Sequence, residues 1–142
     1  KSLALTTLIF DILKGYVSII ITLKYFNDLI YFSALICFIG HIFPVWLKFK
    51  GGKGVATYVG IILALSFKIG IIFGVIWLLI SFISKYSSLA SMLSTLIVFA
   101  YSLILDNSSL SVYLFITFIL ILYTHRENIL RLKDSKETKI EL

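Results

Sequence analysis

Cysteine, proline and acidic side chains are nearly missing from this chain. Its 142 residues include one cysteine, one proline and seven Asp or Glu, and charged residues of both signs reach only 14%. The lone Cys37, set in an apolar run, rules out an intrachain disulfide framework or a cysteine-built metal site and reads as a small core residue. The lone Pro44 cannot donate a backbone hydrogen bond, so it marks the place where a helix ends or kinks. The low charge excludes an ordinary soluble domain, in which about a quarter of residues are charged. Strand-like alternation is missing, which argues against a barrel, and no repeat recurs at a fixed period. There is no G-x-S-x-G, no H-E-x-x-H and no pair of carboxylates on one helix face. Any chemistry is therefore expected to rest on substrate positioning and charge stabilisation, without a covalent enzyme intermediate.

What is abundant is apolar surface. Hydrophobic residues make up 60% of the chain, and the mean hydropathy is +1.05. A globule this small cannot hide that excess, so the membrane is the expected solvent, and one domain suffices for the length. A net charge of +6 would suit nucleic acid. The basic residues, however, sit in short runs between apolar segments, and the aromatic residues lie in the segments instead of among the basic groups. Membrane lipids are the expected partner, and nucleic acid is not. The chain does not begin with Met, and Asp11 and Lys14 interrupt what would be the core of a signal peptide; a truncated start is expected instead.

Six apolar segments can be drawn, at about 3–23, 29–47, 55–67, 69–84, 88–105 and 110–124. Several are shorter than the ~20 residues that cross a hydrocarbon core, so flanking residues or a thinner bilayer must supply the difference. The division at Lys68 is the weakest, and 55–84 read as one long span is the alternative. Six crossings place Lys1, the 48–54 loop, Lys85 and the tail after 124 on one side, with ten of the thirteen Lys and Arg. One long span would split those charges across both faces. The positive-inside rule thus favours an all-α, polytopic bundle of about six transmembrane helices with cytoplasmic basic loops.

The stretch "GHIFPVWLKFKGGKGVATYVG" carries the clearest chemistry. Trp46 suits the headgroup level. Gly51, Gly52 and Gly54 leave their amides free to turn toward an anion, and Lys48, Lys50 and Lys53 supply charge. A new helix from Val55 would aim its positive end at the same point. The spacing is not a Walker A loop, because Leu47 stands where its first glycine belongs and Gly54 where Ser or Thr belongs. A turn that only fixes topology is the plainer reading; the alternation of glycine and lysine at a helix start favours an anion site. His41 reads equally as a structural hydrogen-bonder or a functional group.

A second cluster lies in "YTHRENILRLKDSKE", where His125, Asn128 and Arg131 recur every three residues and share one face of a continuing helix. Imidazole, carboxamide and guanidinium together suit phosphate or hydroxyl groups. Lys133, Lys136 and Lys139 read as a membrane-surface tail. Asp11 and Lys14, an i,i+3 pair inside the first apolar segment, should face protein, because a charge near the helix centre costs about 3 kcal/mol. They either neutralise each other or line a polar cavity open to the cytoplasm.

These motifs resemble the bacterial acyl-phosphate-dependent glycerol-3-phosphate acyltransferases, the PlsY family. Gly40, His41, Pro44 and the run from Phe49 to Thr57 match the family's G-H-x-x-P and F-K-G-G-K-G-V-A-T. His125, Glu127, Asn128, Ile129, Arg131, Leu132 and Glu137 match its R-H-x-E-N-I-x-R-L and later G-x-E, with Thr124 in place of the usual Arg and Ser135 in place of the usual Gly. Asp11, Lys14 and Gly15 match its D-x-x-K-G. The resemblance implies one integral membrane domain over 1–142, whose first of seven spans and first Gly-Ser-Asn-rich motif would precede Lys1. It implies acyl transfer from acyl phosphate to the 1-hydroxyl of glycerol 3-phosphate, releasing lysophosphatidic acid and phosphate, with no metal or organic cofactor. It places the enzyme in the bacterial inner membrane, with its site facing the cytoplasm. Lys53, His125 and Asn128 are then the expected catalytic residues. Gly51, Gly52, Lys53, Gly54 and Arg131 are the expected phosphate binders, with His41, Asp11, Lys14 and Glu127 in support. Either His125 or a substrate phosphate takes the hydroxyl proton. The competing function is a transporter or channel subunit that binds an anion with the same loop.

Overall fold

A computed structural model describes residues 2–140, and all regular structure among them is helical. Lys1, counted above with the cytoplasmic charges, lies outside the described residues. Two compact units divide the chain, 1–71 and 72–142.

The first unit holds α1 (Ser2–Tyr25), α2 (Ile30–Ile42), α3 (Val55–Leu65) and the first residues of α4 (Phe67–Ser84). A short 3-10 turn, Asn27–Leu29, reverses the chain between α1 and α2. Lipid gives helices no hydrophobic reason to associate, so close packing has to hold them. Glycine makes that possible between α1 and α3. A Cβ at Gly60 would collide with the Ile12 carbonyl oxygen and come within 2.9 Å of the Tyr16 nitrogen. One at Gly15 would come 2.5 Å from the Thr57 carbonyl oxygen. The two backbones therefore touch where side chains would otherwise hold them apart. Ala34, Phe38, Tyr58 and Ile61 are fully buried, and Phe38 meets the Tyr58 ring edge-on. On α1, Leu3, Phe10, Val17 and Ile21 remain exposed, the surface of a helix solvated by hydrocarbon.

The second unit comprises the rest of α4, α5 (Ser87–Ser102), α6 (Ser108–Thr124) and α7 (Arg126–Lys133). Small hydroxyl residues bring α5 close to its neighbours, with Ser91, Ser94, Thr95 and Ser102 all buried. Trp77 donates its indole N–H to Ser91 Oγ at 3.0 Å. Phe99 lies parallel to Phe118, with ring centroids 6.5 Å apart. Asn107 caps α6 by accepting from the Leu110 amide at 2.9 Å.

Six apolar helices stand where six apolar segments are drawn. The weak division falls at Ser66, two residues before Lys68, where the backbone is extended (φ −158°, ψ 107°). Residues 55–84 are therefore two helices. Three segments are long and apolar enough to cross a bilayer: α1, α2 with its flanking turns over 27–47, and α4. A fourth qualifies if α6 and α7 count as one span bent by 60°. With 11 and 16 residues, α3 and α5 are apolar but shorter.

Candidate active site

The glycine-lysine loop is built by the end of α2. Pro44, with φ −68° and ψ 125°, stops the helix, and Val45–Leu47 forms a 3-10 turn. Lys48 and Phe49 then take left-handed conformations (φ 52° and 61°), as does Gly54 (φ 87°) before α3 begins. Each glycine sits against α2. A Cβ at Gly51 would strike the His41 carbonyl oxygen, one at Gly52 would lie 2.6 Å from His41 Nε2, and one at Gly54 would lie 2.5 Å from the Phe38 ring. The Gly51 amide donates to the Ile42 carbonyl at 3.2 Å, closing the turn. The Gly52 and Gly54 amides donate to no backbone carbonyl among the described residues. They adjoin the first amides of α3, which have no intrahelical carbonyl to bond. Lys53 is exposed between them.

Asp11, Lys14 and His41 meet beside this loop. Lys14 Nζ lies 2.6 Å from Asp11 Oδ1 and 2.6 Å from His41 Nδ1, and His41 Nδ1 is 3.7 Å from the same carboxylate oxygen. An ammonium has donors only, so Lys14 donates to Nδ1 and the neutral imidazole carries its proton on Nε2, facing Gly52. The two ions pair with each other and also line a cavity. That cavity, about 550 Å³, takes in Asp11, Lys14, His41, Lys50, Gly51 and Gly52. It is within the size range of ligand sites.

In the second unit the helix does not continue through "YTHREN". His125 (φ −98°, ψ 9°) is the joint between α6 and α7, bent by 60°. The charged and polar Arg126, Glu127, Asn128 and Arg131 cannot follow the apolar α6 into hydrocarbon. His125 is 2% exposed, and its Nδ1–H donates to the Ile121 carbonyl at 2.8 Å. That bond puts the imidazole proton on Nδ1.

Glu137 gathers the polar groups of α7. Its carboxylate accepts from Ser88 Oγ at 2.7 Å, Asn128 Nδ2 at 2.6 Å and Arg131 Nε at 2.8 Å. Burial of the 8%-exposed side chain would raise its pKa, but the three hydrogen bonds and the Arg131 charge outweigh burial and hold it at about 2. With its Nδ2 held, Asn128 has an Oδ1 that is buried and has no hydrogen-bond partner among the described residues. Glu127, expected in support, is 73% exposed and 3.9 Å from Arg131. The sequence pattern places Glu137 in a motif without singling it out as a site residue. Nine positions beyond Asn128 and outside any helix, it shows no periodicity that would do so. Ser135 explains the motif's usual glycine: it ends α7 at φ 57°, while Lys136 N donates to Arg131 O and Ser135 N to Leu132 O, a Schellman turn.

Taken together, the structure defines a multi-pass helical membrane protein with a lysine-glycine loop suited to phosphate and a carboxylate-anchored Asn and Arg. The family model "Glycerol-3-phosphate acyltransferase" matches residues 1–135. The chain belongs to that family. It is 44% identical over 142 residues to a glycerol-3-phosphate acyltransferase of Pelagibacter ubique, covering all of this chain and 74% of the relative. Identity to the Ehrlichia canis enzyme of the same name is 41%, covering 99% of this chain and 74% of the relative. Among solved structures it is similar to PlsY (YgiH), an integral membrane glycerol 3-phosphate acyltransferase. The glycerol 3-phosphate form of PlsY superposes with a TM-score of 0.94 at 32% identity, over 99% of this chain and 72% of that one. Its lysophosphatidic acid form gives 0.93, over 99% and 74%. These matches are to acyltransferases and lend nothing to the transport alternative.

Proposed function

We propose that the protein transfers a fatty acyl group from acyl phosphate to the 1-hydroxyl of glycerol 3-phosphate, in the cytoplasmic membrane of a bacterium and from its cytoplasmic side. The hydroxyl oxygen attacks the acyl carbonyl carbon, the bond from that carbon to the phosphate oxygen breaks, and phosphate leaves with the electron pair. The products are lysophosphatidic acid and inorganic phosphate. The observation that carries this reading is the loop at the start of α3. Its Gly52 and Gly54 amides and Lys53 offer donors and charge to a phosphate, and the His41 Nε2–H adds a donor at Gly52. Stabilising the departing phosphate there lowers the barrier without a covalent enzyme intermediate.

The second cluster orients the acceptor. Asn128 Oδ1 accepts from a hydroxyl of glycerol 3-phosphate, and the half-exposed Arg131 guanidinium, steadied by Glu137, meets its phosphate. Two groups suit the departing proton: the His125 imidazole and a substrate phosphate oxygen. The test is phosphate release from palmitoyl phosphate, with and without glycerol 3-phosphate, on detergent-purified protein. Release that depends on glycerol 3-phosphate and yields lysophosphatidic acid supports the reading. Folded protein that releases nothing, yet moves phosphate across liposomes, would return the function to transport.

A further inference from the structure

The turn between α2 and the glycine-lysine loop leaves its large side chains uncovered. Val45, Trp46, Leu47 and Phe49 are all more than half exposed, Trp46 to 80%. Water is a poor solvent for four such neighbours, and lipid is a good one. The turn is nonetheless tightly held. The Pro44 carbonyl accepts from the Leu47 and Phe49 amides at 3.1 and 3.0 Å, and the Lys50 amide donates to the Leu47 carbonyl at 3.1 Å. Lys48 and Phe49 take consecutive left-handed conformations, a rare choice for any residue with a side chain and rarer for a bulky aromatic. This backbone holds the apolar side chains outward together, with exposed Lys48 and Lys50 set among them. No Asp or Glu occurs between Asp28 and Asp106, so no acidic neighbour in sequence offsets the two charges. Neither ammonium has an ion pair among the described residues.

Apolar anchors interleaved with uncompensated lysines match the boundary of a bilayer whose lipids carry negative headgroups. We propose that residues 45–50 form an interfacial foot that binds anionic phospholipid. Trp46, Leu47 and Phe49 enter the acyl region, and the Lys48 and Lys50 ammonium groups take the lipid phosphates. The long lysine stem suits this division, since it lies along apolar surface while its charged end stays among headgroups. The Gly51 amide ties the foot to the end of α2 through the Ile42 carbonyl, at 3.2 Å. The foot thereby holds the glycine-lysine loop at the depth of the lipid phosphates. This inference rests on the membrane placement of the chain and not on acyl transfer, so each can fail without the other.

Fluorescence of Trp46 tests the foot, because the chain has only one other tryptophan, Trp77. The Trp77→Phe protein is reconstituted in vesicles of equal parts phosphatidylglycerol and phosphatidylcholine, with bromine on the acyl chains of one lipid or the other. Quenching of Trp46 is expected to report about a 5-fold or greater preference for phosphatidylglycerol at low salt, the scale of one lysine at an anionic surface. Replacing both lysines, as Lys48→Gln with Lys50→Gln, should abolish the preference, and high salt should weaken it. Equal quenching by the two lipids would reduce the foot to a plain hydrophobic contact and overturn the proposal. So would a preference that survives the loss of both lysines. Quenching by neither lipid would mean that protein covers the turn, a second copy of this chain included, and would overturn it equally. Should Trp77→Phe fail to fold, wild type measured against Trp46→Phe gives the Trp46 share by difference.

Discussion

Glu137→Gln removes one negative charge from a carboxylate that accepts three hydrogen bonds. Two donors, Ser88 and Asn128, converge on Oε1, and Arg131 Nε meets Oε2. A glutamine can keep its oxygen toward the first pair only by turning its NH2 group toward Arg131, where two donors then face each other. The cost comes from linkage. The folded carboxyl sits at about 2 against an ordinary 4.5, and that gap corresponds to about 3 kcal/mol. Arg131 is 43% exposed, so solvent screens part of its contribution and about 2 kcal/mol is expected. The depressed pKa sets the sign of the pH dependence. This stabilisation is fully present above pH 4.5 and is lost as pH falls through about 2. In wild type, then, the 134–140 segment stays docked at pH 4, its end tied by the Ile140 amide to the Lys85 carbonyl at 2.7 Å. The assay is amide hydrogen exchange at Lys136 and Ile140, with thermal unfolding alongside. In Glu137→Gln both amides exchange faster by about 30-fold at pH 7, the equivalent of 2 kcal/mol. Exchange and melting equal to wild type at pH 7 would refute the carboxylate's anchoring role.

Other outcomes hang on single positions. Ser135→Gly relieves a left-handed serine and should stabilise the protein by about 1 kcal/mol, read as a melting point a few degrees higher; no change would contradict the Schellman turn. Gly60→Ala drives a methyl into the Ile12 carbonyl and should cost about 2 kcal/mol or more, whereas Gly40→Ala meets open space and should melt at or above wild type. Equal melting of those two variants would remove the glycine contact between α1 and α3. Lys14→Met frees His41 Nδ1, so nitrogen NMR of labelled His41 should show the Nε2–H tautomer in wild type and a mixture in the variant; a mixture in both would refute the donor assignment.

Local pattern makes the helices legible. The apolar runs locate all six apolar helices to within a few residues, and Pro44 with three glycines marks the loop between α2 and α3. Contacts across long sequence separations are beyond it. Asp11 and Lys14 read as an i,i+3 pair, yet their third partner, His41, lies 27 residues from Lys14. The bend at His125 overrides helical periodicity, because the chain must leave hydrocarbon once Arg126 and Glu127 appear. Glu137 reaches Ser88 across 49 residues, a contact no spacing rule reports. Gly51 looks equivalent to its neighbours in sequence, and only the turn it closes with Ile42 separates its amide from those of Gly52 and Gly54.

The central claim is that the loop at the start of α3 holds phosphate for acyl transfer. Its most direct test is turnover of palmitoyl phosphate with glycerol 3-phosphate by Lys53→Ala, alongside wild type, on protein of equal melting temperature. The account predicts a kcat lower by about 10²-fold or more, the scale for removing one preorganised donor at developing charge. Wild-type turnover by Lys53→Ala would contradict it.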